Sequence, residues 1–209
     1  LSFFDAVQLV RKRAELMQAA VPSGSGSMAA ILGLDDAKII EICSIANKLG
    51  VVEAVNFNSP GQVVIAGEKQ AVANACELMK EAGAKRALVL PVSVPSHCSL
   101  MKDAAMDFKR SVETINFQMG SEKVLHNVDA DYSSNVKEIK SKLVEQLHKP
   151  VLWTSIVQEM KNSGVEKLIE AGPGKVLAGL ARRIDKSLSG SAIIDVTTLK
   201  STIEEVSNA

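Results

Sequence analysis

The sequence predicts an α/β protein. Three observations predict it: apolar residues at helical spacing alternate with short β-branched runs, residues 24 to 94 read strand, helix, strand, strand, helix, strand, and from Pro95 onward strands and helices take turns. Strands that alternate with helices imply a largely parallel sheet covered on both faces.

In chain order, Phe3, Val7, Val10, Ala14 and Met17 give a first amphipathic helix that ends before Val21-Pro22. Ser23-Gly24-Ser25-Gly26-Ser27 reads as a flexible connection and a domain boundary. A strand around Met28 to Leu34 follows, then a helix opened by Asp35 as N-cap with Ile39, Ile42, Cys43, Ala46 and Leu49 on one face. Strands at Val51 to Asn56 and Val63 to Ala66, joined by a turn at Asn58-Ser59-Pro60-Gly61, make a hairpin. A helix with Val72, Ala75, Cys76 and Met79 inward stops at Gly83 before a strand at Ala87 to Val92. The order βαββαβ is that of a ferredoxin-like module.

Beyond Pro95, a helix carries Met101, Ala105, Phe108 and Val112, a short strand lies near Val124, and a helix with Ile139, Leu143 and Leu147 ends before Pro150. A helix with Ile156, Val157 and Met160 stops at Gly164, and Val165 to Glu170, Gly174 to Lys186 and Ala192 to Val196 read strand, helix, strand. Residues 1–23 and 95–209 are therefore expected to form one split α/β domain, with residues 24–94 inserted in it.

Composition narrows the function. A chain of 209 residues can bury about 70% of its unfolded surface. Its 24 Lys and Arg balance 24 Asp and Glu and are scattered, which argues against a nucleic-acid partner. Cys43, Cys76 and Cys98 are odd in number and far apart, as expected of reduced thiols in a reducing compartment. No apolar run approaches a membrane span of about 20 residues. His97, His126 and His148 have no Cys-x-x-Cys or His-x-x-x-His pair with them, so no metal is expected. The chain starts Leu1-Ser2-Phe3-Phe4-Asp5, without an initiator methionine or signal-peptide architecture, and enters a helix at once; truncation or cleavage is the simpler reading.

Three segments carry the chemistry: Asn56-Phe57-Asn58-Ser59-Pro60-Gly61-Gln62-Val63-Val64-Ile65-Ala66-Gly67, then Val92-Ser93-Val94-Pro95-Ser96-His97-Cys98-Ser99-Leu100-Met101, then Glu170-Ala171-Gly172-Pro173-Gly174-Lys175-Val176-Leu177. Taken alone, a histidine after a strand and a proline is more often a structural group. In order and spacing, however, the three segments closely resemble malonyl-CoA:acyl carrier protein transacylases of fatty-acid synthesis. That family places its nucleophilic serine in a Gly-His-Ser-Leu-Gly-Glu elbow, which occurs nowhere in these residues. The chain looks like such an enzyme without its N-terminal part, and alone it is expected to be inactive.

The resemblance implies a hydrolase-like core with the ferredoxin-like insert, and it gives His97 the role of base, then acid, toward the serine. Imidazole suits this because its ordinary pKa of about 6.5 permits both steps near neutrality. Ser96 and Cys98 flank it, and Cys98 reads as packing. Gln146, in Gln146-Leu147-His148-Lys149-Pro150-Val151-Leu152-Trp153, matches the residue whose backbone carbonyl fixes the histidine tautomer, so a change to its side chain is expected to do little. Arg13 matches the arginine that pairs with the malonyl carboxylate through a bidentate fork; Arg11 is its rival if the helix register shifts. Asn58 and Gln62 are expected at the cleft as supporting contacts. His126 and His148 match no catalytic position, and Lys175 or Arg182 could touch coenzyme A phosphates or the carrier protein. The Gly172-Pro173-Gly174-Lys175 turn is no phosphate loop, since Val176 follows the lysine.

The implied activity is ping-pong transfer of malonyl from malonyl-CoA to the phosphopantetheine thiol of acyl carrier protein through a malonyl-serine, by a cytoplasmic monomer with no cofactor beyond the coenzyme A thioester substrate. Two alternatives stay open: a non-catalytic module that binds acyl carrier protein or coenzyme A on the same scaffold, and a thioester hydrolase, which Arg13 argues against.

Overall fold

The computed structural model describes residues 1–92 and 94–207; Ser93 of the central segment, and Asn208 and Ala209 at the end of the expected core, lie outside the described residues. The chain is α/β, and its contacts divide it into two units, Leu1–Trp153 and Thr154–Ala209.

The first unit begins with α1 (Phe3–Ala19), capped by the Ser2 hydroxyl, which accepts the Asp5 N–H at 3.1 Å. Of the expected face only Met17 is buried. Leu9 and Met17 are buried with Leu16 beside them, while Phe3 is 86% and Val10 66% exposed. Two apolar stripes run along this helix, and the one that meets α4 (Lys102–Thr114) is buried. Ala104, Ala105, Phe108 and Val112 of α4 point inward as expected and share a core with Leu9, Met17, Met101 and Leu147.

Between these helices in the sequence comes a four-stranded sheet of β1 (Gly26–Leu32), β2 (Val52–Ser59), β3 (Gln62–Glu68) and β4 (Arg86–Val89), in the order β2-β3-β1-β4, with every neighbouring pair antiparallel. β1 starts inside the Ser-Gly run expected to be a linker, and Ser27 is buried. β2 runs through Asn58 and Ser59, so the turn contracts to Pro60-Gly61, where Gly61 takes φ 70°. Helices α2 (Asp36–Ala46) and α3 (Lys69–Glu81) cover one face: Ile39, Ile42, Val72, Ala75 and Met79 pack on Ala29, Ile31, Val63 and Ile65. Leu49, expected on that face, is exposed, because α2 has passed into a one-turn 3-10 helix by Asn47. At Gly67 any Cβ would lie 1.9 Å from the Val51 carbonyl oxygen, so glycine is required by this close approach.

The opposite face of the sheet presents Met28, Val55, Val64 and Ala66, and these pack on Cys98. Between Ala54 and Asn56 the β2–β3 register shifts, leaving Val55 without a partner on β3. Its carbonyl accepts the Val151 N–H at 2.8 Å, and the Phe57 N–H donates to the Val151 carbonyl at 2.9 Å. The sheet thus holds two segments at once, 97–99 and 150–152.

The strand expected near Val124 does not form; residues 115–135 contain neither helix nor strand. Two residues to either side of Val124 stand Glu122 and His126, so no alternating apolar face supports a strand there. α5 (Val136–Glu145) follows, capped by Asn135, whose side chain accepts the Glu138 N–H at 2.9 Å.

α6 (Trp153–Asn162) opens at the unit boundary. The second unit contains β5 (Lys167–Ala171), α7 (Val176–Ile184), β6 (Ser189–Ile193) and α8 (Val196–Ser207). β5 and β6 pair in parallel with α7 as the crossover, whereas the larger sheet is antiparallel throughout; among the described strands the expectation of mostly parallel pairing is met in this pair alone, with one isolated parallel bridge between Asn56 and Val151. α8 replaces the end of the last expected strand: Asp195 accepts the Thr198 N–H at 2.7 Å and caps a helix that begins at Val196.

Candidate active site

Pro95 follows the sheet, the Ser96 N–H donates to the Val94 carbonyl at 2.9 Å, and His97 then takes φ 67°. Only Ala130 shares such a value among the described non-glycine residues, and a residue held in the left-handed region persists where its surroundings over-determine it. Those surroundings are explicit. The His97 N–H donates to the Leu147 carbonyl at 3.1 Å, and its ring Nδ1 lies 2.6 Å from the Gln146 carbonyl oxygen. A carbonyl only accepts, so Nδ1 carries the hydrogen and the lone pair resides on Nε2.

Burial pushes the imidazole below its ordinary pKa; the bond to Gln146 opposes this, and the positive charge of Arg13 adds to the lowering. His97 is therefore neutral at pH 7, the form a base requires. The Gln146 amide donates to the Lys149 and Pro150 carbonyls at 3.2 and 3.4 Å and lies 3.5 Å from Nδ1, so this side chain shapes the segment whose carbonyls hold His97.

Arg13 and His97 line one cleft of about 400 Å3, with Gln146, Asn127, Leu9 and Phe108 among its walls. Arg13 projects from the buried side of α1, burial lowers its pKa, and no carboxylate among the described residues pairs with it. The rival Arg11 is bound to Glu15 at 2.9 Å on the exposed side. A half-buried guanidinium beside a neutral histidine, with its fork unmatched, is suited to an incoming carboxylate.

The other expected residues are placed as follows. Asn58 ends β2 and Gln62 opens β3, on either side of the Pro60-Gly61 turn, and neither is among the residues lining the cleft. Cys98 is fully buried, donates to the Pro95 carbonyl at 3.1 Å, and has its thiol pushed up to about 12, mainly by burial. It is unreactive packing. His126 contacts the Ser133 hydroxyl at 3.0 Å, and His148 adjoins Lys149; neither lines the cleft. Lys175 and Arg182 lie exposed at the two ends of α7. Among the described residues no group of three His, Cys, Asp or Glu could hold a metal, and no helix is long and apolar enough to cross a membrane.

Sequence reasoning missed Asn127, whose carbonyl accepts the Leu152 N–H at 2.9 Å, and Glu53, whose carboxylate reaches Ser99. Asn127 sits in an irregular segment with no periodic signal, and Glu53 shows only as one charge in an apolar strand.

No family model matches the chain. It is 51% identical over 204 residues, 98% of its length, to the malonyl CoA-acyl carrier protein transacylase of Escherichia coli K12, and spans 66% of that relative. The crystal structure of an acyl carrier protein S-malonyltransferase from Vibrio cholerae superposes with a TM-score of 0.95 at 52% identity, over 97% of this chain and 66% of that one. A malonyl-transacylase solved in complex with a type II polyketide-synthase acyl-carrier protein gives a TM-score of 0.96 at 47% identity, over 98% and 66%. The chain thus spans about two thirds of the relatives it matches, and over that span it belongs to the malonyl CoA-acyl carrier protein transacylase family.

Proposed function

We propose that this chain carries the base and the carboxylate-binding side of a transferase that moves malonyl from malonyl-CoA to the phosphopantetheine thiol of acyl carrier protein in fatty-acid biosynthesis. One observation carries the reading: the imidazole is fixed on the Gln146 carbonyl, in the same cleft as an arginine with no carboxylate partner among the described residues. The nucleophilic serine lies outside these 209 residues. His97 Nε2 takes its proton as the oxygen attacks the thioester carbonyl, and returns that proton to the coenzyme A sulfur as the C–S bond breaks. The carrier-protein thiol then attacks the malonyl-serine, with the proton moving through Nε2 again. Arg13 holds the malonyl carboxylate and disfavours neutral acyl groups; Asn58 and Gln62 lie outside the cleft lining and take no part in this reading. Coenzyme A enters as substrate, and no cofactor takes part.

The strand order β2-β3-β1-β4 with two helices on one face supports reading residues 24–94 as a ferredoxin-like subdomain. The crossover β5–α7–β6 supports assigning residues 1–23 and 95–209 to a hydrolase-like acyltransferase core. Three free, buried cysteines suit a reducing compartment such as the cytoplasm.

The test is intact mass after brief exposure to malonyl-CoA. A protein of the relatives' length that contains this chain should gain one malonyl group and lose it to carrier protein, whereas this chain alone should gain none. Full acylation and transfer by His97→Ala would overturn the assignment of the base.

A further inference from the structure

Glu53 lies on β2 and shares with Val55 the sheet face that meets the His97 loop. Its carboxylate accepts the Ser99 N–H at 3.0 Å and the Ser99 hydroxyl at 2.5 Å, from 46 residues away. Ser99 opens the one-turn 3-10 helix Ser99–Met101 that runs into α4, and Cys98, at its N-cap position, provides no side-chain cap. Such a helix start presents unsatisfied N–H groups and a partial positive charge, which a carboxylate satisfies well. The link is thus a helix cap delivered by a different part of the fold. Two residues upstream is His97 with its left-handed backbone, and between them Cys98 is clamped against Val55. The loop is held on one side by the carbonyls of 146 and 147 and on the other by Glu53.

We propose that Glu53 is a positioning residue for His97: by anchoring Ser99 it completes the constraints that keep the left-handed turn and hold the ring Nδ1 on the Gln146 carbonyl. It touches no reacting atom. Its effect on turnover rests on the transferase reading, while its effect on the imidazole does not.

The experiment has two arms. In the first, 15N–1H correlation spectra of the imidazole nitrogens are recorded on this chain. The wild type should show a single tautomer protonated at Nδ1; Glu53→Ala should give a tautomer mixture and solvent exchange of the Nδ1 proton faster by about tenfold, and Ser99→Ala and Glu53→Gln a smaller change in the same direction. In the second, the same variants in the family-length enzyme should lower kcat by about 10–100-fold for Glu53→Ala with KM for malonyl-CoA within about twofold, and Glu53→Gln should recover part of the loss. An unchanged imidazole spectrum in the variants overturns the proposal, even if kcat falls, because Glu53 would then act elsewhere. Should Glu53→Ala not fold, Ser99→Ala and Glu53→Gln decide by the same readouts. If the wild-type family-length enzyme transfers no malonyl, the transferase reading fails and the imidazole arm still decides the role of Glu53.

Discussion

The loop carrying His97 is tied to Val94, Gln146, Leu147 and Glu53 by hydrogen bonds, whereas α1, which carries Arg13 into the same cleft, offers that arginine no carboxylate among the described residues. Under the proposed function the contrast follows from what each group would have to do. A base is useful only in one tautomer and one orientation, so every bond that fixes the ring before substrate arrives lowers the reorganisation left for the reaction. A carboxylate receptor is useful only while its fork is unoccupied, because a resident Asp or Glu would compete with the substrate. Desolvation makes the unpaired state costly for Arg13, and an incoming carboxylate relieves that cost.

The comparison breaks most visibly at the base. In a family-length enzyme His97→Ala should lower malonyl transfer by about ten-thousandfold or more, measured as initial rate to carrier protein; a loss under tenfold would mean the pinned ring is merely structural. Next comes the helix. Met17→Ala should cost about 2–5 kcal/mol in urea unfolding, against about 0.5 kcal/mol or less for Val7→Ser on the exposed stripe, and equal costs would show that both stripes pack. Arg13→Lys keeps the charge and loses the fork, so kcat/KM for malonyl-CoA should fall about 100-fold without a matching loss for acetyl-CoA.

A finer test couples the two sides. Arg13→Gln removes a positive charge beside a neutral histidine, so the pKa of His97 should move up, followed by ring proton shifts against pH. Sign matters for stability too: the folded His97 value lies below 6.5, so the unfolded chain binds the proton first, and stability should fall as pH drops below about 6.5 until the folded value is passed. Smallest of all, Arg11→Ala should change stability by about 0.5 kcal/mol or less and leave malonyl selectivity intact, since its ion pair with Glu15 is exposed.

Much of this was legible in the sequence where local pattern decides. The inward faces of α2, α3 and α4 follow from apolar spacing, and the Val-Pro-Ser-His and Gln-Leu segments marked the two residues that the fold brings to 2.6 Å. Two kinds of information were not local. α1 carries two apolar stripes, and periodicity alone cannot choose which of them meets α4. Glu53 and Asn127 matter through partners 46 and 25 residues distant, Ser99 and Leu152, and no spacing rule relates them. α8 was legible in principle, since Asp195-Val196-Thr197-Thr198 is a capping pattern, but the β-branched run ahead of it reads as strand.

The ties on His97 also impose an order in time. Its ring partner follows it by 49 residues, and the segment bearing that partner is itself bonded to β2 through Val151. During synthesis the entire Val-Pro-Ser-His run leaves the ribosome well before either carbonyl that holds it, and contacts of this separation are among the last that a folding chain closes. A nascent chain halted before residue 146 carries the signature histidine and no oriented base.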